Sequence, residues 1–280
     1  MFDSIAIVGA GFIGGSLGLA IKRRWPSVRV IAVDEKPVLD AALRMRAVDG
    51  GGDSLAIAAA ASLVVLAAPV RANIAVLGQL PSAIPGEAIV TDVGSTKAET
   101  VAAASALPDR LRFVGGHPLS GGAVGGIGEA RAELFDGRPW LLTPDATTSA
   151  HALASLRRFV EGLGARPVEL SAEEHDRLVA FLSHLPQLAV TALMHVVGES
   201  VGEEGLALAG RGLRDTTRLA SSPAGIWRDI AATNPTQLAE ALDAFIDVLN
   251  GFKAHAENPA ADFDAIFASA ARWKQTLDGR

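Results

Sequence analysis

Short apolar runs alternate with alanine- and leucine-rich stretches from residue 4 to about residue 170. Runs of this length bounded by turn residues are the pattern of parallel strands buried between helices. The pattern predicts strands over residues 5–8, 28–33, 63–67, 88–92, 111–114, 139–142 and 166–168, joined by helices on both faces of a doubly wound sheet. Beyond Ser171 the strand signals stop, and the rest reads as helices punctuated by Gly202, Gly210, Gly212, Pro223 and Asn258-Pro259. The clearest helix opens at Asn234-Pro235, a cap residue followed by a proline at the first helical position, with Gln237 placed for a capping box. Leu238, Leu242, Phe245, Leu249 and Phe252 then recur every three or four residues, an apolar seam that packs within its domain or against a second subunit. The last helix places Phe263, Ile266, Phe267, Ala270, Trp273 and Leu277 on one face, and no regulatory appendage is expected after it.

A length of 280 residues favours two domains. The expected division is residues 1–170 for an α/β nucleotide-binding domain and 171–280 for an all-α domain. With 49% hydrophobic and 20% charged residues the chain is set to fold. A net charge of -6 argues against nucleic acid as a partner, so an anionic ligand needs its own local arginines. The absence of cysteine excludes disulfides and thiolate chemistry. No basic, apolar leader is evident at the N-terminus, and the apolar runs look too short to cross a bilayer, so a cytoplasmic protein without a membrane partner is expected.

Residues 5–14 join an apolar strand to Gly9-Ala10-Gly11-Phe12-Ile13-Gly14, a G-x-G-x-x-G turn that opens a helix. Gly9 permits the tight turn, Gly11 lets the backbone approach a pyrophosphate, and Gly14 allows close packing of helix on strand. Asp34, at the end of the second strand, is placed to take the adenosine ribose hydroxyls and to repel a 2'-phosphate, which favours NAD over NADP. Phe12, Ile13 and the Ala68-Pro69 turn complete the candidate cofactor set of this Rossmann-type domain. Any one such motif names a cofactor, not a substrate.

Three further motifs narrow the chemistry. Asp92-Val93-Gly94-Ser95-Thr96-Lys97 and Gly115-Gly116-His117-Pro118 end successive strands, bringing Ser95 and His117 to the carboxyl edge where open α/β sheets bind ligands. The helical part carries Ser183-His184-Leu185-Pro186-Gln187 and then Arg214-Asp215-Thr216-Thr217-Arg218, with Trp227 beyond. His184 and Gln187 share a helix face, although a histidine satisfied by a backbone carbonyl is the blander reading. His151, His175, His195 and His255 read as ordinary helix positions, and no metal site is suggested.

Taken in order, these segments resemble the prephenate/arogenate (cyclohexadienyl) dehydrogenase family over nearly the whole chain. The resemblance implies NAD-dependent oxidative decarboxylation of prephenate to 4-hydroxyphenylpyruvate or of arogenate to tyrosine. It implies that His117 takes the proton of the ring hydroxyl, assisted by Ser95. It also implies that Arg218 pairs with a substrate carboxylate and that His184, Gln187, Trp227 and Ser222 line the pocket; Arg214 ranks behind Arg218. A homodimer formed through the helical domain is implied as well. Two positions depart from many prephenate-using relatives: Gln187 stands where they have histidine, and Gly122-Ala123 where they have Thr-Glu. Gln187 therefore leaves arogenate or dual use open. The competing readings are another two-domain β-hydroxyacid or imine dehydrogenase, and a sensor that binds NAD without chemistry.

Overall fold

The computed structural model describes residues 2–120, 125–256 and 260–279. Two compact units are present, residues 1–235 and 236–280.

The first unit is built on an eight-stranded sheet: β1 (Ser4–Val8), β2 (Arg29–Val33), β3 (Gly50–Gly52), β4 (Leu63–Leu66), β5 (Ala88–Asp92), β6 (Leu111–Pro118), β7 (Pro139–Thr143) and β8 (Arg166–Glu169). Its order is β3-β2-β1-β4-β5-β6-β7-β8. Helices α1 (Phe12–Arg24), α2 (Lys36–Arg44), α3 (Val70–Leu77), α4 (Leu80–Ala83), α5 (Ala98–Ala104) and α6 (Ala150–Gly162) cover the two faces. Every residue of β4 and β5 is buried, as strands sandwiched between helices must be. One apolar cluster centres on Ile5, Ile7, Leu17, Ile21, Phe135 and Trp140, and the other on Val64, Leu66, Leu77, Leu80 and Val90. The sheet thus holds a packed layer on each side.

The doubly wound sheet is as the alternation predicts, with two differences. Strand β3 is three glycines, which carry no apolar signal; a Cβ on Gly51 would lie 2.7 Å from the carbonyl oxygen of Ala32, so the tight approach to β2 selects glycine. Strand β7 pairs with β6 antiparallel, whereas all other pairings are parallel. Between β6 and β7 the described residues hold one 3-10 turn, Ile127–Glu129, and no helical crossover of the length a parallel return requires.

Past β8 the unit continues in helices: α7 (Ala172–Val179), a π turn over Ala180–His184, α8 (Leu185–Leu206), α9 (Arg211–Thr216), a 3-10 turn over Arg218–Ser221, and α10 (Ala224–Thr233). Ser171 accepts from the backbone N–H of Glu174, whose carboxylate accepts from Ser171 N–H, closing a capping box at α7. The stretch Ala172–Leu206 corrects the expectation that no segment is apolar and long enough to cross a bilayer: by length and composition it qualifies, with mean hydropathy 1.4 in its best window. Interspersed His, Gln, Thr and Gly break every uninterrupted run, which hid the average.

The second unit contains α12 (Ala260–Asp278) and nearly all of α11 (Pro235–Ala254), the helix expected at Asn234-Pro235. The capping box does not form. Oε1 of Gln237 has no hydrogen-bond partner among the described residues, and the Asn234 amide donates instead to the carbonyl of Asp176 at 2.9 Å. Phe252 meets Phe263 and Phe267 at ring separations of 4.9 and 6.2 Å, which joins the end of the α11 seam to α12. The Asn258-Pro259 break and Gly122-Ala123 lie outside the described residues.

Candidate active site

Strands β1, β4, β5 and β6 are parallel neighbours, so their carboxyl ends share one edge. That edge carries the Gly9 turn, the Ala68-Pro69 turn, the Ser95 loop and His117.

The glycine turn meets the requirements of a dinucleotide cradle. Gly9 adopts φ +96, and a Cβ there would sit 2.6 Å from the backbone nitrogen of Ala68. A Cβ on Gly14 would fall 1.9 Å from the carbonyl oxygen of Gly9, so helix α1 packs on the turn as only glycine allows. At Gly11 nothing among the described residues lies within 4 Å of such a Cβ, leaving an open approach to the first turn of α1. Among the described residues no side chain caps that turn, and the N–H groups that open a helix suit phosphate oxygens. Phe12 and Ile13 begin the helix. Asp34 accepts the N–H of Ala10 at 2.6 Å through Oδ2, which fixes the carboxylate beside the turn. Asn73 of α3 holds the Ala68-Pro69 turn by accepting from Ala68 N–H at 3.1 Å.

Behind the catalytic edge lies a fully buried ion pair. Lys97 donates to Asp92 Oδ2 and, at 2.9 Å, to the carbonyl of Gly116. Asp92 also accepts from Gly94 N–H at 2.9 Å and Gly116 N–H at 3.1 Å. One carboxylate and one ammonium therefore tie the Ser95 loop to the strand that ends in His117. The glycines before His117 are packing requirements, since a Cβ on Gly116 would lie 2.7 Å from the carbonyl oxygen of Asp92. Ser95 is half-buried in this loop.

His117 is half-buried, and its Nδ1 lies 2.9 Å from Nε2 of His175. Nδ1 of His175 lies 2.8 Å from Oδ1 of Asp176. Asp176 also accepts the N–H groups of Lys97 at 2.7 Å and Ala98 at 2.9 Å, so α7 is docked against the start of α5. Burial, followed by the neighbouring His175, Lys97 and His184, pushes the His117 imidazole well below its ordinary pKa. The ring is thus neutral and basic in form at cellular pH. His175 corrects the expectation of an ordinary surface or core position without a partner, because its two ring nitrogens meet His117 and Asp176.

The helical side presents His184, Gln187 and Trp227. His184 ends the π turn, is 1% exposed, and meets Trp227 edge-on at 6.1 Å. Neither of its ring nitrogens has a hydrogen-bond partner among the described residues, so the backbone-satisfied reading fails. Burial, opposed in part by the charge of Asp176 and aided by His175, lowers its pKa to about 4. A buried polar ring without a partner is the condition expected of a group that waits for a ligand.

Gln187 has a different task from the one its position suggests. Its amide donates to Thr191 Oγ1 at 3.1 Å and to the Leu219 carbonyl at 2.8 Å, while its Oε1 accepts from Ser222 at 3.2 Å. It binds the turn that carries Arg218 to the start of α8. Both amide hydrogens are spent, and toward a ligand Gln187 retains acceptor capacity alone. Arg218 and Arg214 are exposed, Arg218 at the head of that turn and Arg214 in α9.

The profile described as "Prephenate dehydrogenase, nucleotide-binding domain" matches residues 17–169, and "Prephenate dehydrogenase, dimerization domain" matches residues 171–268. The chain belongs to the prephenate dehydrogenase family. The prephenate dehydrogenase of Bacillus subtilis (strain 168) is 36% identical to it over 94% of this chain and 72% of that protein. A solved structure of prephenate dehydrogenase from A. aeolicus, in complex with hydroxyphenyl propionate and NAD+, superposes with a TM-score of 0.90 at 28% identity, covering 99% of this chain and 98% of that one. Arogenate dehydrogenase from Synechocystis superposes with a TM-score of 0.81 at 29% identity, covering 98% of this chain and 99% of that one. The chain is an oxidoreductase of this family, with NAD as its cofactor.

Proposed function

We propose that the chain converts prephenate to 4-hydroxyphenylpyruvate, arogenate to tyrosine, or both, by oxidative decarboxylation with NAD. The observation that carries this reading is His117, an imidazole whose pKa burial pushes down, on the same carboxyl edge of the sheet as the glycine turn. In its bound position NAD supplies the hydride acceptor. His117 accepts the hydrogen of the ring hydroxyl through the nitrogen that does not face His175, so the carbon bearing that hydroxyl releases its hydride more readily. Ser95 orients the same hydroxyl. Loss of the ring carboxylate as carbon dioxide then aromatises the ring, and His117 returns the proton to the phenol oxygen. Arg218 pairs with a substrate carboxylate, His184 supplies a polar edge, and Trp227 walls the ring pocket. Ser222 and Gln187 hold the Arg218 turn.

The division of labour in this reading is NAD binding by residues 1–170 and substrate binding and dimerisation by residues 171–280, which the two profile matches support. A homodimer fits the exposed apolar side chains of α8, where Leu193, Val196 and Val201 are 40%, 60% and 47% exposed. A second copy of the chain covers that face, which also accounts for its bilayer-like hydropathy. Since Gln187 offers a ligand an acceptor and no hydrogen, it favours the ammonium of arogenate over the keto group of prephenate.

NADH formation with each substrate tests the reading. Turnover with arogenate at a kcat/KM equal to or above that for prephenate is expected. A strong preference for prephenate overturns the specificity, and no NADH with either substrate overturns the function.

A further inference from the structure

We propose that His175 and Asp176 are positioning residues that set the tautomer of His117, presenting its Nε2 as a bare acceptor to the substrate. The inference rests on the catalytic role given to His117 above, but its first test does not require turnover.

Each oxygen of Asp176 accepts a backbone N–H, Oδ1 that of Lys97 at 2.7 Å and Oδ2 that of Ala98 at 2.9 Å, and Oδ1 also lies 2.8 Å from Nδ1 of His175. With a backbone donor on each oxygen the carboxyl group serves as an acceptor, so the hydrogen between it and His175 is carried by Nδ1. A bare Nδ1 facing a carboxylate at this distance would oppose two lone pairs. A neutral His175 then has a bare Nε2. That nitrogen lies 2.9 Å from Nδ1 of His117, and a hydrogen bond between them requires the proton to come from His117. His117 is thereby the Nδ1–H tautomer, with Nε2 unprotonated. Without this chain the two tautomers of a neutral imidazole exchange freely, and the wrong one cannot take a proton at the reacting edge.

Geometry makes the setting rigid as well as directional. His175 is fully buried in α7, and the carbonyl of Asp176 accepts from the Asn234 amide at 2.9 Å, so the backbone of the dyad is held as well. When His117 takes the hydroxyl proton, its Nδ1–H donates to neutral His175, whose opposite edge is already oriented by Asp176. The developing charge is met by aligned dipoles, and no further proton needs to move. The rival arrangement has His175 as an imidazolium that donates on both edges. It places the His117 proton on Nε2, where it blocks acceptance; burial lowers the pKa of His175 and disfavours that state.

Imidazole 15N NMR of the full chain with NAD decides between the two states, with the His117 resonances assigned by their loss in His117→Asn. The expected result at neutral pH is protonated Nδ1 and unprotonated Nε2 on His117. A protonated Nε2 overturns the proposal, whatever the enzyme turns over. The kinetic counterpart uses His175→Phe, which keeps the ring shape without an acceptor, and His175→Gln, which keeps one. Phe should lower kcat by roughly 10- to 100-fold with KM and NAD affinity nearly unchanged, and Gln should recover most of the loss. An equal loss in both variants, or a loss expressed in KM or NAD affinity, means a purely structural role and overturns the proposal. If His175→Phe does not fold, the NMR result on the native protein still decides.

Discussion

His184 makes the stability of the protein depend on pH in a way that can be calculated. Its pKa is about 4 in the fold against 6.5 for a free histidine, with burial as the main cause. The folded state therefore refuses a proton that the unfolded chain accepts. The resulting stability is complete above pH 6.5 and is lost as pH falls from there toward 4. A shift of this size corresponds to about 3 kcal/mol over the whole window, and about 2.5 kcal/mol of it is gone by about pH 4.5. Other groups titrate over the same range, so the test is a double difference. Urea unfolding of the native chain and of His184→Phe is compared at about pH 7.5 and about pH 4.5, at one protein concentration because dimerisation couples to stability. Phenylalanine keeps the edge contact with Trp227 and removes two ring nitrogens that lack partners among the described residues. The native chain should lose about 2–3 kcal/mol more than the variant on acidification. Equal acid sensitivity of the two would refute the burial of His184 as an unpartnered ring.

Two other substitutions probe the scaffold behind the site. Lys97→Met leaves the Asp92 carboxylate buried without its cation, and chemical unfolding should report a loss of about 3–5 kcal/mol; a loss below about 1 kcal/mol would mean that backbone donors alone satisfy Asp92. Gly14→Ala drives a methyl group into the Gly9 carbonyl, so a cost of about 1–3 kcal/mol and weaker NAD binding by calorimetry are expected, and unaltered NAD affinity would contradict the cradle geometry.

The fold was legible wherever side chains carried the signal. Strands β1, β4 and β5 announce themselves by unbroken apolar runs because both faces of the sheet are covered. Strand β3 is silent because three glycines have nothing to bury. The reversal of β7 was written only as a missing helix between β6 and β7. In the site, the glycine turn, Ser95 and His117 are readable because each follows a strand and must reach the same edge. His175 was not readable. Its contacts run to a residue one position on and to another 58 positions back, and neighbours along a helix do not ordinarily face each other. The bonds of Gln187 to Leu219 and Ser222 were not readable either, because they depend on how the Arg218 turn folds back, which spacing does not encode.

The central claim is that His117 is the group that takes the hydroxyl proton, and one measurement addresses it directly: kcat of His117→Asn with saturating NAD and substrate, alongside the NAD dissociation constant of the same preparation. The account predicts a fall in kcat of at least about 100-fold with NAD affinity intact. Turnover close to that of the native chain would contradict it.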